Sequence, residues 1–403
     1  MNKIDDPLKR AAATVVDKGI FVFYLCLKFF GKKTPYKIPL DKLTFKKILV
    51  IRLDHIGDVL ITTPIYKALR IRYPKARIDT MIGSWSQAVL DHNQDVDCRI
   101  IYDAPWWREV RADQSSSGKG PWEEWRLLWK KISYLRKECY DLVIDPRADF
   151  RHIFFFGYLA GGAHILSFDR SGGKYLLSQS LPFQPRVHEM EKNCVLLSAL
   201  GIKNVDRVCH TVISSQEEQF ADAVIREHGL TGRDIVIISP GARKVLKLWP
   251  GERFCELTRW LLGAYSQSAV VFVGGKGEES ISQMLNKNLA GEPGVLNLIG
   301  KTNLLETYAL LKRSHLIITH DGPVSHLASA LPVPMIVLFG PTDAERFKPL
   351  RADVEVISKK YECSPCLLKT CLKTHSPLKP ECMEAISVED VKKRVEHILV
   401  PHS

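Results

Sequence analysis

Short runs of β-branched and apolar residues recur along the chain, and most are followed by a segment with apolar positions at helical spacing. Such runs are typical of parallel strands, which crossover helices bury on both faces. The alternation therefore predicts an α/β fold with parallel sheets. The predicted strands are 46–52, 76–82, 98–102, 140–145, 234–239, 268–273, 315–319 and 335–339. The predicted helices are 58–72, 86–92, 122–137, 188–200, 253–265, 304–312 and 324–331.

The length of the chain indicates more than one domain. Its 403 residues exceed what a single hydrophobic core normally serves. A break near residue 210 would leave one group of strands in each half. We therefore predict domains over 41–210 and 211–403, preceded by a separate segment over 1–40.

The amino-terminal segment has the pattern of a helix that lies on a membrane. Asp6-Pro7 is a good helix start, Gly31 is a good end, and the apolar run 20–27 is flanked by lysines. The run is too short to span a bilayer, and it lacks the small-residue cleavage site of a signal peptide. An amphipathic helix on an anionic membrane surface fits best, and packing against the protein body is the alternative.

The formal net charge is +12, which favours anionic partners such as a membrane face, a phosphorylated substrate or nucleic acid. No known nucleic-acid-binding motif accompanies this charge. We therefore expect no nucleic-acid partner.

Two strand-to-helix turns carry the strongest candidate chemistry. The first spans 52–64 and places Gly57, a candidate donor-binding residue, and Asp58 where a helix begins. Ligands of open α/β sheets bind at such carboxyl edges. Asp58 is a candidate general base for an alcohol, although an Asp at this position is also a common helix cap.

The second turn spans 319–328 and contains Asp321, Gly322, Ser325 and His326. Free N–H groups at a helix start, together with Ser325 and His326, are suited to phosphate oxygens. Asp321 would repel phosphate, so it fits better beside a sugar hydroxyl or as a helix cap.

Two further loops carry candidate donor-binding residues. Ser239 precedes a glycine turn and the cations Arg243, Lys244 and Lys247, which are suited to neutralising phosphate or form a solvated basic loop. Glu278 follows a glycine pair and fits ribose hydroxyls, or it is an acidic residue of a plain helix start.

Ten cysteines occur, six of them scattered as in a reduced protein. The other four, Cys363, Cys366, Cys371 and Cys382, form a cluster near the carboxyl end, where His375 is a spare ligand. A structural metal is one interpretation of this spacing, and reduced packing thiols or adventitious disulfides are the others.

Five of the eight tryptophans fall between Trp106 and Trp129. Trp122, Trp125 and Trp129 would share one face of a helix. They form part of the core, or they meet an acceptor or a membrane interface.

These motifs, taken together from about 46 to 395, resemble glycosyltransferase family 9, the heptosyltransferases of lipopolysaccharide core synthesis. The resemblance rests on Ile56-Gly57-Asp58-Val59, on Asp321-Gly322 with His326, and on 338–342. Lys247, Glu278 and Gly300-Lys301-Thr302 follow in the family's order, and the cysteine cluster resembles many members.

The resemblance implies a GT-B fold, with two Rossmann-like domains facing across a cleft. The amino-terminal amphipathic helical extension and the Trp-rich insertion lie outside the family's common pattern. The resemblance assigns the acceptor to 41–210 and a nucleotide-sugar donor, which is ADP-heptose in the best-known members, to 211–403. Asp58 matches the family's proposed base, and Lys247, Glu278, Asp321, Gly322 and His326 match donor-binding positions. Transfer would invert the anomeric carbon and require no metal or other cofactor.

The expected partners are a nucleotide-sugar donor, an anionic glycolipid acceptor and the cytoplasmic face of the inner membrane. Pro323 stands where many members have Gly, which removes one N–H donor to phosphate. Transfer of another activated sugar to a surface glycan and non-catalytic binding of a nucleotide sugar remain alternatives. The sequence leaves the oligomeric state open.

Overall fold

Each half of the chain folds around one six-stranded parallel sheet. The computed structural model describes residues 39–107, 120–351, 353–366, 371 and 380–399. The chain divides into two units between Arg207 and Val208. The predicted membrane-surface helix before residue 39 lies outside the described residues.

The first sheet has the strand order β3-β2-β1-β4-β5-β6. Its strands are Lys47–Arg52 (β1), Arg77–Ile82 (β2), Cys98–Ile101 (β3), Leu142–Asp145 (β4), His164–Phe168 (β5) and Gln179–Leu181 (β6). β1 lies between β2 and β4, and five of its six residues are buried. This burial on both faces explains the uninterrupted apolar run in the sequence.

Three α-helices and one π-helix accompany this sheet in the described residues. They are Ile56–Arg72 (α1), Pro121–Glu138 (α2), the π-helix His152–Leu159 and Glu189–Ser198 (α3). α2 begins at a proline, whose fixed φ suits the first helical position. Its buried residues recur at helical spacing and pack into the core of this unit: Leu128, Ile132 and Leu135.

The second sheet has the order β12-β11-β10-β7-β8-β9. Its strands are Asp234–Ser239 (β7), Ser268–Phe272 (β8), Val295–Asn297 (β9), Leu316–His320 (β10), Met335–Phe339 (β11) and Val354–Ser358 (β12). Relative to the first strand of each unit, the two sheets have the same order. Both therefore have the doubly wound arrangement of a Rossmann domain.

The described residues of the second unit form eight α-helices. They are Ser215–Glu227 (α4), Gly251–Ala264 (α5), Glu279–Asn288 (α6), Leu304–Leu311 (α7), Pro323–Ala328 (α8), Ala344–Phe347 (α9), Glu381–Glu384 (α10) and Val388–Ile398 (α11). A side chain caps the start of four of them, α4, α7, α9 and α11. Asn303 caps α7 by accepting two backbone N–H groups at 2.9 Å each. Such a cap satisfies N–H groups that have no partner within the helix.

In each sheet the strand order reverses between two neighbours, β1 and β4 in the first and β7 and β10 in the second. Ligands of open α/β sheets bind beyond the carboxyl ends of such strands. The predicted α/β class with two Rossmann-like domains is confirmed. Among the described helices, none is both long enough and apolar enough to cross a bilayer.

Candidate functional site

Asp58 lies in the first turn of α1, just beyond the carboxyl end of β1. Its Oδ2 accepts a hydrogen bond from the backbone N–H of His55 at 3.3 Å, so it does act as a helix cap. Arg52, the last residue of β1, places Nη2 3.4 Å from Oδ1 of Asp58 and donates from Nε to its carbonyl. Because 19% of the Asp58 side chain remains exposed, the carboxylate is oriented and still reachable. The half-buried Gly57 precedes it in the same turn.

A second carboxylate, Asp54, lies beside this turn and is fully buried. Arg147 Nη1 is 2.6 Å from Asp54 Oδ2, and Arg52 Nε is 3.3 Å from Oδ1. The indole N–H of Trp85 donates to the Asp54 carbonyl at 2.6 Å. Arg147 follows β4, so the pairing of β4 with β1 brings it to this position. Asp54 and Arg147 were not among the predicted site residues.

The two carboxylates have opposite protonation behaviour. Burial raises the pKa of Asp58 to about 6, the charge of Asp54 adds to this effect, and Arg52 opposes it. Burial also disfavours ionisation of Asp54, but Arg52 and Arg147 outweigh it and lower the pKa of Asp54 to about 2. Asp54 is therefore a permanent charge, while Asp58 has the pKa of a base that works near neutral pH.

In the second unit, Lys247 and Asp321 form a largely buried ion pair. Lys247 Nζ lies 2.6 Å from Asp321 Oδ2 and also donates to the Asp321 carbonyl at 3.2 Å. Lys247 belongs to a short 3-10 turn after β7, and Asp321 directly follows β10, the strand next to β7. Burial disfavours the Asp321 charge, but Lys247 lowers the pKa of that carboxyl. The pair thus stands at the point where the strand order reverses.

His320, which the sequence interpretation did not assign, fixes the loop that carries Lys247. Its Nε2 accepts the backbone N–H of Trp249 at 3.0 Å, so Nδ1 must carry the proton that bonds the Gly241 carbonyl at 3.1 Å. Burial lowers the pKa of His320 to about 4, so the ring is neutral at physiological pH. His320 is therefore a structural link between β10 and the loop after β7.

The carboxyl group of Glu278 is wedged between two glycine backbones. A Cβ at Gly241 would lie 1.9 Å from its Cδ, and a Cβ at Gly274 would lie 2.1 Å from Oε2. The N–H of Gly275 donates to Oε2 at 3.2 Å. Burial raises the pKa of Glu278 to about 7. The glycines of both loops therefore allow an acidic side chain to approach the ends of β7 and β8.

The remaining predicted residues surround the same strand ends. Ser239 ends β7, and His326 is buried in α8 close enough to lower the pKa of Asp321. The Ser325 hydroxyl is turned onto Gly322, donating to its carbonyl at 2.8 Å and facing its N–H at 3.3 Å. Ser325 therefore closes the turn before α8. The loop cations Arg243 and Lys244 are exposed.

The structure does not support a metal at the cysteine cluster. The four thiols line one small pocket: Cys363, Cys366, Cys371 and Cys382. Within the described part of the chain, however, no three His, Cys, Asp or Glu side chains are placed to hold a metal ion. Burial and the neighbouring thiols raise the pKa of Cys382 to about 11, which favours the neutral thiol. The spare ligand His375 lies outside the described residues.

Known structures share this architecture. A glycosyltransferase family 9 protein from Veillonella parvula superposes with a TM-score of 0.69 at 22% identity, covering 90% of this chain and 98% of its own. The Escherichia coli ADP-heptose lps heptosyltransferase II has a TM-score of 0.68 at 21% identity, covering 87% and 98%. These similarities establish the fold, including the two-domain GT-B class.

Sequence comparisons point in the same direction. Lipopolysaccharide heptosyltransferase 3 of Escherichia coli K12 is 27% identical over 300 residues, which cover 73% of this chain and 82% of that protein. The family model described as glycosyltransferase family 9 (heptosyltransferase) matches residues 128–376, more than half of the chain. The resemblance inferred from the motifs is confirmed, and the chain belongs to glycosyltransferase family 9, the heptosyltransferases.

Proposed function

We propose that this protein moves a heptosyl group from ADP-heptose to a lipopolysaccharide core acceptor, with inversion at the anomeric carbon. ADP-heptose and lipopolysaccharide appear in the names of its relatives from Escherichia coli, and the lipopolysaccharide core appears in the name of one from Haemophilus influenzae. The observation that carries the proposal is the pair of polar clusters described above. One domain presents a carboxylate with a raised pKa, and the other holds a lysine and two acidic groups at its own strand ends.

In the proposed reaction, Asp58 removes the proton from an acceptor hydroxyl. The acceptor oxygen then forms the new bond to the anomeric carbon, while the bond from that carbon to the diphosphate oxygen breaks. ADP leaves with the bonding electron pair, and the proton remains on Asp58 until water removes it. Asp58 suits this role because its carboxylate is held by His55 and Arg52 and is partly exposed.

In this proposal, different residues of the donor domain bind different parts of the nucleotide sugar. Lys247 would neutralise the diphosphate in both the bound donor and the departing ADP, and in this proposal no metal is required for that charge. Glu278 would accept hydrogen bonds from ribose hydroxyls, and Asp321 would face a hydroxyl of the sugar. His326 and the backbone of Gly322 would complete the donor site. Ser325 would act through the shape of its turn, since its hydroxyl is bonded to Gly322.

The proposal places the enzyme on the cytoplasmic face of the inner membrane as a peripheral protein. The formal charge of +12 supports attraction to an anionic surface. An anionic glycolipid acceptor would be presented at that surface.

A donor panel tests the substrate assignment. The purified full chain would be incubated with a heptose-free core glycolipid and with ADP-heptose, ADP-glucose, UDP-glucose or GDP-mannose, and products would be weighed by mass spectrometry. We expect the mass of one heptosyl unit from ADP-heptose, together with release of ADP. Faster modification of the same acceptor with another donor would show that the sugar of that donor, and not heptose, is the one transferred. Binding of donors without any product would instead favour the non-catalytic alternative.

A further inference from the structure

The outer face of α2 exposes three tryptophans in a row. Trp122 is 88% exposed, Trp125 51% and Trp129 52%, and their spacing places all three along one side of the helix. A different side of α2, that of Leu128, Ile132 and Leu135, packs in the core of its domain. The sequence interpretation left open whether these rings form core or meet a surface. Their exposure excludes the core interpretation.

Basic side chains share the exposed part of α2 with the tryptophans. The exposed cations of the helix are Arg126, Lys130, Arg136 and Lys137. Its three acidic residues, Glu123, Glu124 and Glu138, are all partly buried. A helix surface that combines indole rings with Lys and Arg matches the interface of an anionic bilayer, where the rings enter the headgroup region and the cations meet lipid phosphates.

We propose that the outer face of α2 docks the enzyme onto an anionic phospholipid bilayer. A second copy of the chain is a poorer occupant, because a two-fold contact through this face would place its cations against their own copies. An anionic surface complements the same cations. The inference does not depend on the identity of the sugar donor.

The docking face is continuous with the turn that carries the proposed base. The ring of Trp125 lies 6.5 Å from Phe155, which stacks at 6.2 Å on Trp106. The next residue, Trp107, has its ring 5.3 Å from His55, the cap of α1. Ring centroids at these separations are in contact. Docking through α2 would therefore bring the acceptor end of this domain close to a lipid-anchored substrate.

Vesicle sedimentation tests the proposal. The full chain would be mixed with sucrose-loaded vesicles of phosphatidylcholine alone or of phosphatidylcholine with phosphatidylglycerol. We expect strong binding to the vesicles that contain phosphatidylglycerol and weak binding to those of phosphatidylcholine. Replacing both Trp122 and Trp129 by Ser should weaken that binding roughly tenfold. Replacing Arg126 and Lys130 by Gln should weaken it about fivefold for each cation removed.

Two control substitutions away from α2 remove a similar exposed apolar side chain and a similar charge. Ile71→Ser removes a 73% exposed apolar side chain from the end of α1, and Lys203→Gln removes an exposed cation of the same domain. Both should bind vesicles like the parent protein. Circular dichroism and turnover with a water-soluble acceptor should be unchanged in all variants. Absence of turnover in the parent protein would count against the proposed function. Vesicle binding could still be measured in that case, so the two proposals are tested separately.

Two outcomes would overturn the docking proposal. One is undiminished binding of the double Trp variant to anionic vesicles, which would assign the attachment to another part of the chain. The other is a dimer of the parent protein that the Trp substitutions convert to a monomer without lipid, which would make a second copy the occupant.

Discussion

Arg52 bridges two carboxylates of different character, with Nε 3.3 Å from Asp54 and Nη2 3.4 Å from Asp58. The fully buried Asp54 also pairs with Arg147 at 2.6 Å and keeps its charge. Asp58 accepts a hydrogen bond from Arg52 but faces the negative charge of Asp54. Burial, with the charge of Asp54 added to it, raises the pKa of this helix-capping aspartate to about 6 and suits it to accept a proton from an alcohol.

The pH dependence of turnover should report this arrangement. The proposed base acts when deprotonated, so kcat/KM should rise with pH and level off above about 6. Asp54→Asn removes a negative neighbour, which should lower the pKa of Asp58 and move the acid limb to lower pH. Quenched assays of ADP release between pH 4.5 and 8 would show the shift of the acid limb. If the acid limb of the pH profile is at the same pH in the variant as in the parent protein, Asp54 does not influence the pKa of Asp58.

Lys247 and Asp321 should depend on each other for stability. Lys247→Met removes the ion-pair partner of a buried carboxylate and should lower the free energy of unfolding by about 2–4 kcal/mol at pH 7. The double variant with Asp321→Asn should recover most of this loss, because the uncompensated charge is gone. Urea unfolding of the four members of the cycle measures the coupling. Additive losses would show that the pair has no mutual interaction energy.

Glu278→Gln should stabilise the protein above neutral pH. Since burial raises the folded pKa of Glu278 to about 7, above the unfolded value, its favourable contribution is complete at low pH and is lost as pH rises through 7. The variant should therefore gain about 1–3 kcal/mol over the parent at pH 8 and little at pH 4.5. Thermal melts at both pH values check the sign. The same substitution should weaken binding of ADP, measured by calorimetry, if Glu278 meets the ribose.

The glycine contacts of Glu278 give a sharper steric prediction. Gly241→Ala would place a methyl group 1.9 Å from the Glu278 carboxyl carbon, so the acidic side chain must leave its position. ADP binding should weaken roughly tenfold, by loss of about one charged hydrogen bond. Gly277→Ala is the matched control, since no atom lies within 4 Å of a Cβ there. Equal affinities in the two variants would contradict the role of Glu278.

Strong apolar runs were sufficient to predict the interior strands except β5, His164–Phe168. β7 has the bounds 234–239 expected from its pattern, and β10 is displaced by one residue toward His320. Edge strands such as Gln179–Leu181 and Val354–Ser358 were not predicted, because they are short and half exposed and lack a continuous apolar run. The π-helix His152–Leu159 is apolar throughout and shows no helical face.

The candidate site could be predicted from the sequence only where its residues lie in short local motifs. Asp58, Lys247 and Asp321 follow strands and stand in short motifs. Arg147 is 93 residues from its partner Asp54, and only the tertiary pairing of β4 with β1 joins them. His320 lay within a recognised motif, yet its role depends on backbone groups of a distant loop.

Single-turnover kinetics of Asp58→Asn test the central claim most directly. With ADP-heptose and a core acceptor, transfer should fall roughly 10²–10⁴-fold, the usual contribution of a general base. The affinity for ADP should stay within the error of the parent value, because the substituted residue belongs to the proposed acceptor domain. A variant that transfers heptose at the parent rate would contradict Asp58 as the base.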